Sequence, residues 1–202
     1  MLVTLYFTAL NIEAQNILEK KLPAEYIETI TINGNQIFNI SVVTTKTDYI
    51  SISSKLDGEY QNSYQITTKE DDNKLILSLE FMSLENIPDD KRNAHKVIAA
   101  TLHLEIPEGL KLNIKSDIGS VDLKGDYNTL SIELLQGHFT INGEAKQGRI
   151  NTIDGNISVV TTNADVKAIS NHGEVVVQDF DLKNSTWNLH SINGTIEVTK
   201  QQ

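Results

Sequence analysis

The 202-residue chain contains no cysteine. That excludes disulfides, thiolate catalysis, cysteine-ligated zinc and iron–sulfur clusters, and a cysteine-borne lipid anchor. Proline occurs three times and tryptophan once. Positive charge is also scarce: 17 Lys and Arg stand against 27 Asp and Glu, a net charge of −10. Such a chain is repelled by polyphosphate and by anionic lipid, so neither nucleic acid nor a membrane surface is expected as a partner. No stretch after the N-terminus reaches the ~18 apolar residues of a membrane span. The chain is still no disordered polyelectrolyte, because 39% of it is hydrophobic and 22% charged.

The first ten residues (MLVTLYFTAL) are apolar and match a signal-peptide core in length. Ala14 suits cleavage before Gln15. No Lys or Arg precedes the run and Ile12 is bulky for a cleavage site, so a buried first strand is the competing reading. Residues 1–14 are accordingly read as an export signal, with periplasmic, outer-membrane-surface or extracellular destinations.

The second half carries a repeat. Five segments share the form Gly-polar-apolar-x-apolar: Gly119–Leu123 (GSVDL), Gly137–Ile141 (GHFTI), Gly155–Val159 (GNISV), Gly173–Val177 (GEVVV) and Gly194–Val198 (GTIEV). The glycines are 18, 18, 18 and 21 residues apart. Five residues before them stand Ile114, Ile132, Ile150, Ala168 and Leu189, and three before stand Ser116, Leu134, Thr152, Ser170 and Ser191. Each repeat thus holds two short alternating segments around a glycine corner. Alternation of period two is the pattern of strands with one buried face. A fixed period of this size signals stacked units, none of which buries its apolar side alone.

These features predict an all-β fold: a single-stranded parallel β-solenoid (β-helix) with rungs of about 18 residues, capped at its N-terminal end by β-hairpin-like strands. Residues 108–202 form the rungs and 15–107 the N-terminal β region, in one continuous domain. The three extra residues of the last spacing are expected in a loop at 179–185 (DFDLKNS). Lys115 is expected one rung from Glu133, as an opposite-charge pair. Tyr64–Thr68 and Leu75–Leu79 flank the charged tip 69–74 (KEDDNK), a hairpin pattern. Residues 83–96 are loop-like. Only four residues follow Val198, so the terminal rung is expected to be blunted by Trp187 and the long loop, or to pair with another chain.

The runs Ser116–Leu123 (SDIGSVDL), Asp154–Val159 (DGNISV), Asn193–Val198 (NGTIEV) and Leu104–Leu110 (LEIPEGL) resemble a bacterial adhesin-like domain of unknown function. It is related to the autotransporter-adhesin head domains, a β-helix family common in Bacteroidetes. The resemblance covers roughly Glu25 to the C-terminus. It implies an exported β-helix-type protein of the cell envelope or surface, and it brings no catalytic or ligand residues. Ala14-Gln15 is similar to the export boundary of that group.

Motifs for chemistry are sparse. His95, His103, His138, His172 and His190 show no metal-ligand spacing, and no phosphate loop, nucleophile elbow or calcium repeat is present. No cofactor or metal is therefore expected. Asp179 and Asp181 are a close acidic pair in a loop, the minimum for a glycan-active β-helix enzyme. The leading expectation is non-enzymatic: an adhesin or scaffold presenting a rigid repetitive surface. The candidate ligand stripe is the position after each glycine: Ser120, His138, Asn156, Glu174 and Thr195. Its partner would be a glycan or another envelope polymer. The alternative is a structural module that self-assembles through its terminal rung.

Overall fold

The computed structural model describes residues 16–57, 64–82 and 99–201. The segment read as an export signal and the loop-like run from 83, with His95, lie outside them. The elements are β1 (Asn16–Pro23), β2 (Thr29–Asn33), β3 (Ile37–Thr45), β4 (Tyr49–Asp57), β5 (Tyr64–Asp71), β6 (Lys74–Phe81), β7 (Ala99–Pro107) and β8 (Lys111–Ser116). They continue with β9 (Ser120–Gln136), β10 (Phe139–Asp154), β11 (Ile157–Thr161), β12 (Asp165–Ser170), β13 (Val175–Val177), β14 (Thr186–Ser191) and β15 (Ile196–Lys200). Among the described residues no helix is long and apolar enough to cross a membrane.

All fifteen strands belong to one open sheet with two branches. The first runs β1-β4-β7-β3-β9-β10-β11-β15-β13 and the second β5-β6-β2-β8-β9-β10-β14-β12. The long strands β9 and β10 serve both branches. The first part of β9 pairs with β3 and its later part with β8. The bends fall at Gly125 (φ 100°) and Gly143 (φ 156°). A Cβ on Gly143 would lie 2.0 Å from the Gly125 carbonyl oxygen, and one on Gly125 would lie 2.2 Å from Thr44 Oγ1. Only glycine fits such an approach.

This arrangement corrects the expected single-stranded parallel β-solenoid. The sheet is mixed: β1/β4, β4/β7 and β5/β6 are antiparallel. Strand order also departs from chain order. Ile196 pairs with Ile157, and Val175 pairs with Ile196, so β15 lies between β11 and β13. Likewise β14 lies between β10 and β12. The chain runs to the outer end of the sheet in β12 and β13, then steps back inward through the loop 178–185, where the extra residues lie. The period of 18 reports which residues share a column. It carries no information on the order or direction in which strands enter the column.

The columns themselves are regular. Ile40, Val121, Phe139, Ile157, Ile196 and Val175 follow one another in register. The first five are at most 1% exposed. In the second branch, Leu112, Leu130, Gly148, Trp187 and Val166 form a column. Gly148 stands between Leu130 and Trp187 as glycine because a Cβ there would meet Trp187 Cε3 at 2.3 Å. Trp187 is therefore an interior residue, fully buried, and not a cover for the end rung. The inward side chains of both branches merge into one apolar core. Lys115 and Glu133 do lie side by side on β8 and β9, with Nζ 3.8 Å from Oε2.

Candidate functional site

The glycine corner positions the stripe. Gly119, Gly137, Gly155, Gly194 and Gly173 stack in that order. A Cβ on Gly155 would come within 1.7 Å of the Gly137 oxygen, and one on Gly194 within 1.9 Å of the Gly155 oxygen. The hydroxyl three residues upstream secures the corner. Ser116, Ser170 and Ser191 each accept the amide of their own corner glycine at 2.8–3.0 Å. Each then donates to the carbonyl of a neighbouring glycine: Ser116 to Gly34, Ser170 to Gly194, Ser191 to Gly155. The corners thus hold backbone against backbone, and a strand begins one or two residues after each glycine.

The structure brings Ser120, His138, Asn156 and Thr195 together on the outer face, in that order. Glu174 follows last, just ahead of the outermost strand β13, instead of preceding Thr195. Their backbone carbonyls enter the ladder one residue later: Val121 N donates to His138 O, Phe139 N to Asn156 O, and Ile157 N to Thr195 O. The amide just ahead of each of these strands therefore lies before the ladder begins. Side chains of the stripe satisfy it. His138 N donates to Ser120 Oγ at 3.2 Å, Asn156 N to His138 Nδ1 at 3.1 Å, and Thr195 N to Asn156 Oδ1 at 2.9 Å.

This relay has a chemical consequence. An amide N–H can only donate, so His138 Nδ1 is the acceptor here and the ring N–H is the one on Nε2. The Asn156 oxygen is likewise occupied, leaving its NH2 group outward. The stripe has spent acceptors on the backbone and presents donors to solvent. Beside it run Asp122, Thr140, Ser158 and Glu197, which supply acceptors. The two columns line a shallow groove of about 480 Å³. The relay was not legible from residue spacing, since it depends on which amides lie outside the ladder.

The remaining histidines do not converge on this groove. His103 is on the outer face of β7, its Nδ1 2.7 Å from Ser41 Oγ, and His190 is on β14. His172 sits at the corner before Gly173. Among the described residues no group of three or more His, Asp or Glu is placed to hold a metal ion. Asp179 and Asp181 are exposed in the loop after β13, where Asp181 Oδ2 accepts from Lys200 Nζ at 3.2 Å.

No protein-family model matches this chain, and no curated protein matches it. Solved structures do. A candidate adhesin from Bacteroides fragilis aligns over 92% of this chain and 97% of its own, at 11% identity and a TM-score of 0.42. A candidate cell adhesion protein from Clostridium sporogenes aligns over 93% of this chain and 100% of its own, at 14% identity and a TM-score of 0.64. Over nearly its full length, the chain shares the fold of that Clostridium protein.

Proposed function

We propose that this chain is a non-enzymatic, adhesin-like protein of the cell surface or envelope, whose polar outer face binds a glycan. The shared fold with a candidate cell adhesion protein favours the adhesin-like role. The apolar run of residues 1–10, read as the core of an export signal, favours export. The observation that carries the ligand class is the pairing of columns. Ser120, His138 and Asn156 offer donors, and Asp122 and Glu197 beside them offer acceptors. Hydroxyl groups donate and accept at once, so a polyhydroxylated chain fits both columns. Repetition at the strand spacing of about 4.8 Å lets neighbouring units bind alike. The relay fixes these side chains beforehand, which lowers the entropy cost of binding.

A glycan array probed with the full chain tests this reading. The triple variant Ser120→Ala, His138→Ala, Asn156→Ala is expected to lose binding at least about tenfold, or about 1.4 kcal/mol, while keeping its melting cooperativity. Unchanged binding by the variant rejects the stripe, and an array with no ligand rejects the glycan.

A further inference from the structure

The two ends of the sheet are finished differently. At the head, a core column runs Val42, Leu104, Ile52 and then Lys20 on the edge strand β1. A lysine in an inward register on an edge blocks further pairing. Its Nζ also donates to Thr68 Oγ1 of β5, the edge of the other branch, so the bond spans the core opening. At the tail, β13 is Val175-Val176-Val177. Val175 and Val177 share columns with the fully buried Ile196 and Val198, yet each is 40% exposed. Among the described residues β13 pairs with β15 and with no other strand. Leu182, in the loop after β13, is 60% exposed.

From this asymmetry we infer that the tail edge pairs with the same edge of a second copy, giving a closed two-fold dimer in which β13 lies antiparallel to β13. Three independent features select one register. The first is backbone direction. Glu174 O and Gln178 N bond to β15, so by alternation the N–H and C=O of Val175 and Val177 project from the free edge. An antiparallel partner centred on Val176 sets Val175 opposite Val177 of the second copy. All eight of these groups are then satisfied by four bonds. The second feature is packing. The same register places the inward valines of both copies face to face and continues the core column. The third is charge. It sets Glu174 opposite Gln178, avoiding an acid against an acid. The Gln178 oxygen already accepts from Lys200 N at 2.7 Å, so its NH2 group is the end left to meet that carboxylate. The lysine-blocked head offers no matching edge, and association therefore stops at two.

A single cysteine tests the geometry in a chain that has none. Val176 faces outward, so substitution there leaves the core intact. On the two-fold axis it forms a non-hydrogen-bonded pair with itself, at a Cα separation near 4.5 Å, within disulfide reach. Sedimentation equilibrium of the full chain is expected to show twice the 22.5 kDa monomer mass. Val176→Cys is expected to form a covalent dimer on mild oxidation, and Lys21→Cys on the head edge is not. Val176→Lys opposes two ammonium groups on the axis and returns the mass to that of the monomer, with cooperative unfolding retained and a melting temperature that no longer depends on concentration. Monomer mass for the unmodified chain at all concentrations overturns the inference. So does cross-linking of Val176→Cys to Lys21→Cys in a mixture without homodimer, which marks head-to-tail assembly instead.

Discussion

Two glycines illustrate how differently the two regions of this molecule are held. Gly155 belongs to the stacked corners, where an added Cβ would strike the Gly137 carbonyl at 1.7 Å. Gly109 belongs to the turn leading out of the antiparallel region; its φ is 77°, and an added Cβ would have no atom within 4 Å. In the stack, glycine is required by neighbouring backbone. In the turn it is required only by its own dihedral. Contact between neighbouring corners recurs from strand to strand and so writes a period into the sequence. A turn recurs nowhere and leaves only local residue preferences. That contrast explains why one half of the chain looks repetitive and the other does not, although both contribute strands to the same sheet.

The largest expected effect breaks that contrast directly. Gly155→Ala should destabilise by about 4 kcal/mol or more, since backbone must move, and lower the melting temperature by roughly 10 °C. Gly109→Ala should cost about 1 kcal/mol, the penalty of a left-handed alanine. Thermal or denaturant unfolding of both variants compares them; equal losses contradict the stacked-corner account. A second test concerns the exception within the stack. Gly148→Leu restores the residue type of its column but collides with Trp187, at a cost of about 3 kcal/mol. Adding Trp187→Leu should recover about 1–3 kcal/mol, read as coupling in a double-mutant cycle. The smallest effect sharpens the junction between regions. Tyr127 in β9 donates its hydroxyl to Val42 O of β3 at 2.9 Å, and burial pushes that hydroxyl well above its ordinary range. The native state then retains a proton that the unfolded chain releases above about pH 10. Stability should fall as pH rises past that point, by about 1.4 kcal/mol per unit for this group. Tyr127→Phe should cost about 1–2 kcal/mol at neutral pH and remove that part of the alkaline decline, as read from urea unfolding against pH.

The columns were legible from the residues alone. Gly119, Gly137 and Gly155 stack as their spacing implied, and Lys115 meets Glu133. The topology was not legible. Gly173 to Gly194 keeps the column, but the loop at 178–185 carries the chain inward, and a column position is the same whichever neighbour occupies it. Direction was hidden for a related reason, since β4 alternates identically whether parallel or antiparallel to β7. Gly125 and Gly143, also 18 apart, mark the second bend, and their spacing was available to be read. At the candidate site, the stripe residues share one face, but their order and their hydrogen-bond relay follow from strand order and amide direction, neither of which leaves a trace in spacing.

Strand order at the tail is the claim on which the inward step and the exposed β13 edge both depend. Methyl–methyl nuclear Overhauser effects read it directly. The account predicts cross-peaks from Ile157 to Ile196 and from Ile196 to Val175, with none between Ile157 and Val175. A cross-peak joining Ile157 to Val175, with Ile196 beyond Val175, would restore chain order and contradict it.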